Sequence, residues 1–377
     1  MEKRTIRIAV LASCICLAAT VKAQEQAGGQ PLGEEGRECR SGSWKPELGL
    51  ELNSELQATH KGDYNFVNLL RLSAVLPIGR GATFEVSTLS TCMTEGGSIG
   101  VERQTFSNID AGNIPLALSV CGFGWQKGDS HSLFVGIRNM NEDYFCSPIT
   151  SFFTQSSCGI YPTLSCNYDI SNYPLASMGV HYKYNKVLGS GHNKVKQFAN
   201  YESTSVQGGD RVTLEVSLYN GTGYHRFSGR ENVFRVCPQS DGIFGLAQVD
   251  YQHAGSRYFL GTSVRQQRGC GTSASPWIYT EQSVTDRLSL IAGYSHAFGS
   301  DVACSDFAGV GAHYALPKVE LGIFTDYARI AGFNESTTEL SCKFSVTSCV
   351  DLQPSLHLIS SDGTFQTAGL LRLTVSL

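Results

Sequence analysis

The carboxyl-terminal segment, residues 371–377 (LRLTVSL), alternates between apolar and polar side chains at every position. Successive side chains of a β-strand point to opposite sides, so this segment has one apolar and one polar face. Closing a sheet into a cylinder removes the unpaired edges that an open sheet exposes. The sequence therefore predicts a last strand that pairs with the first in a closed barrel of the outer-membrane type. The apolar face carries Leu371, Leu373, Val375 and Leu377, and the polar face Arg372, Thr374 and Ser376.

The first strand alternates in the same way from Glu47 to Ala58. This is longer than the roughly 5–6 residues of a typical soluble strand and suits the about 9–11 residues that cross a bilayer. Several carboxylates on one face need water beside them, which in a membrane barrel means the lumen. We therefore expect Glu51 and Glu55 to line a pore. The opposite face carries Leu48, Leu50, Leu52, Leu56 and Ala58.

Two later segments repeat this pattern and add Glu215 and Asp326 to the predicted lumen face. A trial count of 16 strands over residues 44–377 leaves about 21 residues for each strand and its connection. We predict an all-β fold, a transmembrane antiparallel β-barrel of about 16 strands in one domain, 44–377. Strand length favours this barrel over a soluble sandwich.

The amino terminus has the features of an export signal. Basic residues precede an apolar run from Ile8 to Val21, and we predict a signal peptide at 1–23 with cleavage after Ala23. A lipoprotein cleavage at Cys14 is the alternative. Residues 24–43 are rich in Gly, Glu and Gln and are expected to form a short disordered lead-in in the periplasm. The predicted location is the bacterial outer membrane.

Removing the signal leaves 25 basic and 32 acidic residues, a balance that argues against nucleic acid as a partner. Eleven cysteines remain, without any C-x-x-C pair. Cys158 with Cys166, and Cys342 with Cys349, are candidate disulfides, but small apolar filler between strands is the preferred interpretation. No compact set of metal ligands is present, so neither a metal nor a cofactor is expected.

One motif in the sequence is typical of a hydrolase. Residues 96–100 (GGSIG) match the G-x-S-x-G nucleophile motif, which would make Ser98 the nucleophile. That chemistry needs a strand before the serine and a helix after it, whereas the flanking sequence predicts a hairpin loop. We therefore expect no enzyme.

The densest group of polar side chains follows a strand that carries Leu133, Val135 and Ile137. Charged and hydrogen-bonding groups at a constriction select the solutes that pass a pore. A mixture of signs together with amides suits neutral sugars better than one kind of ion. The candidate selecting residues are Arg138, Asn141, Glu142 and Asp143, with Lys183 on a neighbouring lumen face. A general porin without solute preference stays open.

The order of several motifs resembles the carbohydrate-selective porins of the OprB type. The motifs include FSNIDA at 106–111, SHSLFVGIRNMNEDYF at 130–145, YPLASMGVHYKY at 173–184 and PWIYTEQSVTDRLSLIAGYSHAF at 276–298. The resemblance implies a 16-stranded outer-membrane barrel that admits monosaccharides by diffusion, with arginine and glutamate at its narrow part. It places Glu281, Glu339 and Gln353 in shared motifs, in lumen or structural roles. Cys158, Cys342, Cys349 and Leu377 depart from the family pattern.

The predicted function is passive, sugar-preferring permeation. The expected partners are small carbohydrates, outer-membrane lipid and the barrel-assembly machinery, and the oligomeric state is left open. The alternatives are a general porin and a surface adhesive barrel that does not transport. In the adhesive barrel a carbohydrate would stack on loop aromatics, for which Tyr161, Trp277 and Tyr279 are the candidates.

Overall fold

The computed structural model describes most of the chain from residue 45 onward. The predicted signal peptide (1–23) and lead-in (24–43) lie outside the described residues, so both stay predictions. Within the described part, sixteen strands form one closed antiparallel barrel. The described residues are 45–188, 210–228, 231–267, 269, 271–299 and 302–377.

The barrel consists of β1–β7 and β10–β18, and β8 and β9 form a separate two-stranded sheet. Neighbouring barrel strands follow one another along the chain, which is the up-and-down arrangement of a membrane barrel. The strands are β1 Glu47–Thr59, β2 Tyr64–Gly79, β3 Ala82–Met93, β4 Ile114–Lys127, β5 His131–Arg138, β6 Ser177–Leu188, β7 Asp210–Asn220, β8 Phe227–Ser228, β9 Glu231–Asn232, β10 Ile243–His253, β11 Ser256–Gln267, β12 Gly271–Ser283, β13 Leu288–His296, β14 Cys304–Ala315, β15 Val319–Ile330, β16 Phe333–Ser345, β17 Val350–Ser361 and β18 Thr364–Ser376.

The two ends of the barrel carry different connections. Three long connections, 94–113, 139–176 and 221–242, leave the same end, which we call the loop end. The opposite end, where β18 finishes, is called the closing end. Its described turns are short, such as 80–81 and 254–255. Among the described connections, the long ones therefore lie at the loop end, an arrangement typical of outer-membrane barrels.

Helical structure in the described residues is confined to the long connections. Connection 139–176 contains α1, Pro162–Ser165, and connection 221–242 contains α2, Pro238–Asp241. Three short 3₁₀ turns, Met140–Glu142, Thr150–Phe152 and Ser156–Cys158, also lie in 139–176. Of the helices described, none has the length and hydrophobicity needed to cross a bilayer.

The last strand closes the barrel against the first, which confirms the prediction made from the terminal segment. Leu371 lies opposite Leu56, and Arg372 lies opposite Glu55. The Arg372 Nε–H donates to the Glu55 carboxylate at 2.6 Å, and this carboxylate is fully buried. A buried ion pair therefore spans the seam of the barrel.

The alternation separates the two faces of the wall as predicted. On β1, Leu48 and Leu56 are 74% and 55% exposed on the outer surface, whereas Glu55 is fully buried inside. Exposed aromatic rings on outward positions lie near both ends of the strands, where a bilayer has its interfaces. Those near the closing end are Phe123, Trp125, Tyr258, Tyr314 and Phe344, and those near the loop end are Tyr64, Tyr294, Tyr327 and Phe365.

Removing the cation of the seam pair should destabilise the barrel strongly. In an Arg372→Ala variant the buried Glu55 carboxylate loses its counter-ion, which costs about 3–5 kcal/mol in comparable buried pairs. We expect the urea midpoint of unfolding in detergent, followed by tryptophan fluorescence, to fall clearly. Adding Glu55→Gln to that variant should recover part of the loss. The control is Arg80→Ala at an exposed turn, and equal midpoints for Arg372→Ala and this control would contradict the assignment.

Candidate functional site: the lumen and its two inward loops

Connection 139–176, here called the long inward loop, folds into the barrel and packs on one side of its inner wall. Its buried apolar side chains form one cluster with inward residues of β7 and β10–β15. The loop contributes Met140, Tyr144, Ile149, Phe152, Phe153, Cys158, Ile160, Tyr161, Leu164 and Ile170, and the wall contributes residues such as Phe244, Trp277, Tyr279, Phe307 and Phe324. Half of the wall is thus dry and covered, which narrows the lumen.

Inward glycines make room for the aromatic rings of this loop. A Cβ atom at Gly322 would collide with the rings of Phe152 and Phe153, and one at Gly293 would collide with the hydroxyl of Tyr161. Glycine has no Cβ, so it allows a ring to lie directly on the strand backbone. The wall is therefore shaped to receive the loop.

Buried carboxylates hold the backbone of the long inward loop. Glu339 accepts from the N–H groups of Thr154 and Gln155 at 2.9 and 2.8 Å. Asp326 accepts from the Ser157 hydroxyl at 2.5 Å, and Glu281 accepts from the Ile149 N–H at 3.3 Å. Glu339, Asp326 and Glu281 are 0%, 2% and 3% exposed, so the loop covers all three. The amide of Gln353 adds a donor to the Phe152 carbonyl at 2.6 Å.

A second connection, 94–113, also turns inward and is called the short inward loop. Its Arg103 N–H donates to the Glu335 carboxylate on β16 at 2.7 Å, and its Ser107 hydroxyl donates to Glu55 on β1 at 2.8 Å. The two inward loops meet where the Asn108 N–H donates to the Thr154 carbonyl at 2.7 Å. Together they occupy the lumen at the loop end.

Two ion pairs that keep solvent contact have their cations on β2 and β6, two of the nine barrel strands that contribute no residue to the buried cluster of the long inward loop. Arg71 on β2 pairs with Glu142 of the long inward loop at 2.5 Å, and their side chains are 31% and 19% exposed. Lys183 on β6 pairs with Glu215 on β7 at 3.0 Å, with the lysine 40% exposed. We call this partly exposed strip the passage.

Arg138 lies at the base of the passage, where β5 runs into the long inward loop. Its Nε–H and one Nη–H donate to the two oxygens of Asp143 at 2.6 and 2.7 Å. A second carboxylate, Glu85, lies 3.5 Å away, and the guanidinium carbon is 4.6 Å from the ring centre of Phe134. Burial raises the pKa of the Asp143 carboxyl, but the charge and hydrogen bonds of Arg138 outweigh it and hold the pKa below its usual range. This pair is a fixed, bidentate brace.

The remaining candidate residues take supporting positions. Asn141 accepts from the Tyr173 N–H and donates to the Gly159 carbonyl, both at 3.0 Å, so it ties the start of the long inward loop to its later part. Glu51 points inward and accepts from the Asn53 amide at 2.7 Å. The structure thus brings Arg138, Asn141, Glu142 and Asp143 together, close to the Lys183–Glu215 pair.

One expectation from the sequence, a carbohydrate stacked on loop aromatics, requires correction. Trp277 and Tyr279 lie on β12 rather than on a loop, and with Tyr161 they are 2%, 8% and 5% exposed. These rings belong to the packed cluster beneath the long inward loop, so they offer no surface for a carbohydrate to stack on.

Ser98 lies in the short inward loop, where the described residues that follow it contain no helix before β4. Its Oγ accepts from the Gly100 N–H at 3.2 Å. The nine cysteines of the described residues are free thiols, so neither candidate disulfide is formed among them. The same residues contain no group of three or more His, Cys, Asp or Glu arranged to hold a metal ion.

Sequence reasoning missed several residues that matter in the lumen. Arg71 and Glu85 face inward on strands whose alternation is less regular than that of β1, and Glu335 lies in a run of polar residues. Arg372 was placed on the polar face, but nothing local identified its partner, which is 317 positions away. Of these residues, Arg71 alone carries a usable signal in the sequence, because its place in the partial alternation of β2 puts it on the lumen face.

Comparison with known proteins supports the architecture. Neither a family model nor a curated protein matches the sequence. Solved structures do match. The high-pH structure of Pseudomonas putida OprB gives a TM-score of 0.72 at 14% identity, covering 88% of this chain and 94% of that chain. An anion-selective porin from Comamonas acidovorans gives a TM-score of 0.57 at 10% identity, covering 88% of this chain and 99% of that chain.

The chain has the porin fold. The low-pH structure of the same OprB agrees, with a TM-score of 0.54 at 13% identity, over 88% of this chain and 92% of that one. Because the identities are this low, the likeness establishes the porin architecture and leaves the solute to be argued from the residues.

One acidic group of the short inward loop makes the packing of this porin barrel sensitive to pH. Glu102 is 8% exposed, and its carboxyl accepts from the Phe106 N–H at 2.7 Å. Burial, with smaller contributions from the nearby carboxylates of Glu335 and Asp110, raises the pKa of Glu102 to about 8. Burial likewise raises the pKa of Asp110 to about 7. The packed loop therefore favours the protonated form of both acids.

We predict that the short inward loop loosens as pH rises. The folded-state pKa of Glu102 lies above its ordinary value of 4.5, so the stability that it contributes is present in acid and lost as the pH rises to about 8. Hydrogen exchange of residues 101–110, corrected for intrinsic rates, should accelerate between about pH 4.5 and about pH 8. Glu102→Gln should remove most of this change. The exposed Glu95→Gln, in the same loop, should retain it, and equal behaviour of the two variants would refute the prediction.

Proposed function

We propose that this protein is a bacterial outer-membrane porin that lets small solutes diffuse passively and prefers neutral sugars. The observation that carries the proposal is the pairing of charges in the passage. Arg71, Arg138 and Lys183 each lie within 3.5 Å of a carboxylate. Every cationic side chain of the described passage is therefore paired, and the passage presents many hydrogen-bonding groups.

This pairing favours an uncharged polar solute on physical grounds. Two opposite charges at contact distance cancel much of each other's field, so a passing ion gains little attraction to offset the loss of its water. A sugar needs donors and acceptors for its hydroxyl groups, and the outer edges of a paired guanidinium and carboxylate still offer both. A sugar can thus exchange water for wall contacts at small net cost.

The outer surface supports residence in a membrane. Its exposed side chains are mainly aliphatic between two bands of aromatic rings, an arrangement that lets a barrel span the apolar layer while its rings lie at the interfaces. A barrel of this kind also satisfies all of its backbone hydrogen bonds between strands. Outer-membrane lipid and the barrel-assembly machinery are the partners that this location implies.

The predicted site residues divide into two roles in this proposal. Those that keep solvent contact or brace such groups would form the passage: Arg138, Asn141, Glu142, Asp143, Glu51, Lys183 and Glu215. Those covered by the inward loops would hold them in place: Glu55, Glu281, Asp326 and Glu339. Arg71 and Glu85 join the first group.

Liposome swelling tests the proposal directly. Refolded protein in liposomes should allow faster swelling in isotonic glucose than in an amino acid of similar size, because the zwitterion carries full charges past a paired wall. Equal rates would reduce the function to that of a general porin. No swelling, from barrels shown to be folded, would favour a surface barrel without transport, in which the two inward loops close the lumen.

Breaking the Arg71–Glu142 pair from either side should change ion selectivity in opposite directions. Arg71→Gln leaves an unpaired carboxylate in the passage and should shift the reversal potential in a potassium chloride gradient toward cation preference. Glu142→Gln should shift it toward anion preference, and the double variant should return near the wild type.

Arg287→Gln, at an exposed turn of the closing end, is the control for charge alone. Shifts of the same size in this control would show that net charge, rather than the passage, sets the selectivity. Unchanged potentials in both single variants would remove Arg71 and Glu142 from the pore.

A further inference from the structure

We propose that Cys166 of the long inward loop and Cys304 of β14 form a disulfide when the exported chain meets an oxidising environment. The bond would tie the inward loop to the barrel wall at the loop end. Both are free thiols in the structure. The inference rests on packing and not on the solute that the barrel admits.

Three contacts bring this part of the loop onto the start of β14. The side-chain amide of Asn167, next to Cys166, donates to the Cys304 carbonyl at 2.9 Å, and its oxygen accepts from the Cys304 N–H at 2.6 Å. The same amide donates to the Thr163 carbonyl, so the turn after α1 is held in one conformation. Because consecutive Cα atoms are about 3.8 Å apart, Cys166 lies one short step from a residue docked on Cys304.

The thiols themselves are neighbours in the packed interior. Cys304 belongs to the buried cluster beneath the long inward loop, and Cys166 packs against that cluster. A disulfide needs Cα atoms within about 4.4–6.8 Å, and the docking of Asn167 on the Cys304 backbone brings the adjacent Cys166 toward that range.

The reaction that joins them is a thiol–disulfide exchange with an external disulfide, such as oxidised glutathione or a disulfide oxidase of the cell envelope. The Cys166 thiolate attacks one sulfur of that disulfide, and the other sulfur leaves as a thiolate. The Cys304 thiolate then attacks the Cys166 sulfur of the mixed disulfide and displaces the second external thiolate. Two protein thiols are oxidised, one external disulfide is reduced to two thiols, and the two protein protons pass to those thiols.

The order of attack follows from exposure. Cys304 is completely buried, whereas Cys166 keeps some contact with solvent, so Cys166 meets the oxidant first. Burial raises the pKa of the Cys166 thiol to about 11, so its thiolate is scarce once the loop is packed. Oxidation should therefore be faster while the loop docks than afterwards, and faster at alkaline pH.

Peptide mapping tests the proposal on the full chain. The barrel is folded in detergent with a mixture of oxidised and reduced glutathione, free thiols are blocked with N-ethylmaleimide after unfolding, and digested peptides are analysed by mass spectrometry without reductant. We expect a linked peptide pair that contains Cys166 and Cys304 and that disappears on reduction. Cys166→Ser should abolish it. Cys158→Ser, a buried cysteine of the same loop, should leave it intact.

Two mapping results in the wild-type protein alone would contradict the proposal, so the test does not depend on whether a variant folds. Recovery of both cysteines as maleimide adducts after oxidation would overturn the proposal, as would a link from Cys166 to Cys158. Swelling assays report on permeation and not on this bond, so failure of the porin proposal would leave the mapping result unaffected.

Discussion

Backbone N–H and C=O groups that cannot reach water must find their partners inside the protein, and this requirement governs the described barrel. An antiparallel sheet meets it only when its two edges join. Here β18 meets β1, and the seam carries an ion pair between Arg372 and Glu55 on the inner side. Once the sheet is closed, side-chain alternation sends every second residue to the outer surface and the rest to the interior. The polar interior is therefore a consequence of closure, and the function depends on how that interior is filled.

Two inward loops occupy the interior, and their backbone N–H and C=O groups also need hydrogen-bond partners. The long inward loop lies over a dry wall, where its N–H groups cannot reach water. Glu339 and Glu281 accept from those groups, and Glu335 does so for the short inward loop. A carboxylate that accepts several N–H bonds stabilises an irregular segment much as a cap stabilises a helix end. The sequence pattern assigns these strand positions to a water-filled lumen. In the structure their side chains hold the two inward loops in place.

The alternation of apolar and polar residues predicted the strands of the barrel wall well, but it did not predict how the inward loops pack inside the barrel. The alternation from Glu47 to Ala58 foretold β1 to within one residue, because strand geometry and burial depend on near neighbours. It could not foretell that Glu281 lies beneath a loop, or that Trp277 packs there instead of facing a carbohydrate. Those outcomes depend on pairing between segments more than one hundred positions apart, and one sequence carries no signal for such pairing. The segment after Arg138 was singled out from the sequence because its polar density is a local property.

The charged groups of the lumen therefore fall into two sets, which differ in how their charge is compensated. Covered carboxylates such as Glu339 are compensated by backbone dipoles, and removing one would leave unsatisfied N–H groups in a dry interior. Exposed groups such as Arg71 and Lys183 are compensated by opposite charges across water-accessible space, where single interactions are worth far less to stability. Stability and selectivity therefore reside in different residues of the same interior. Under the proposed function, substitutions in the passage would change the preferred solute while the loops that define its width stay in place.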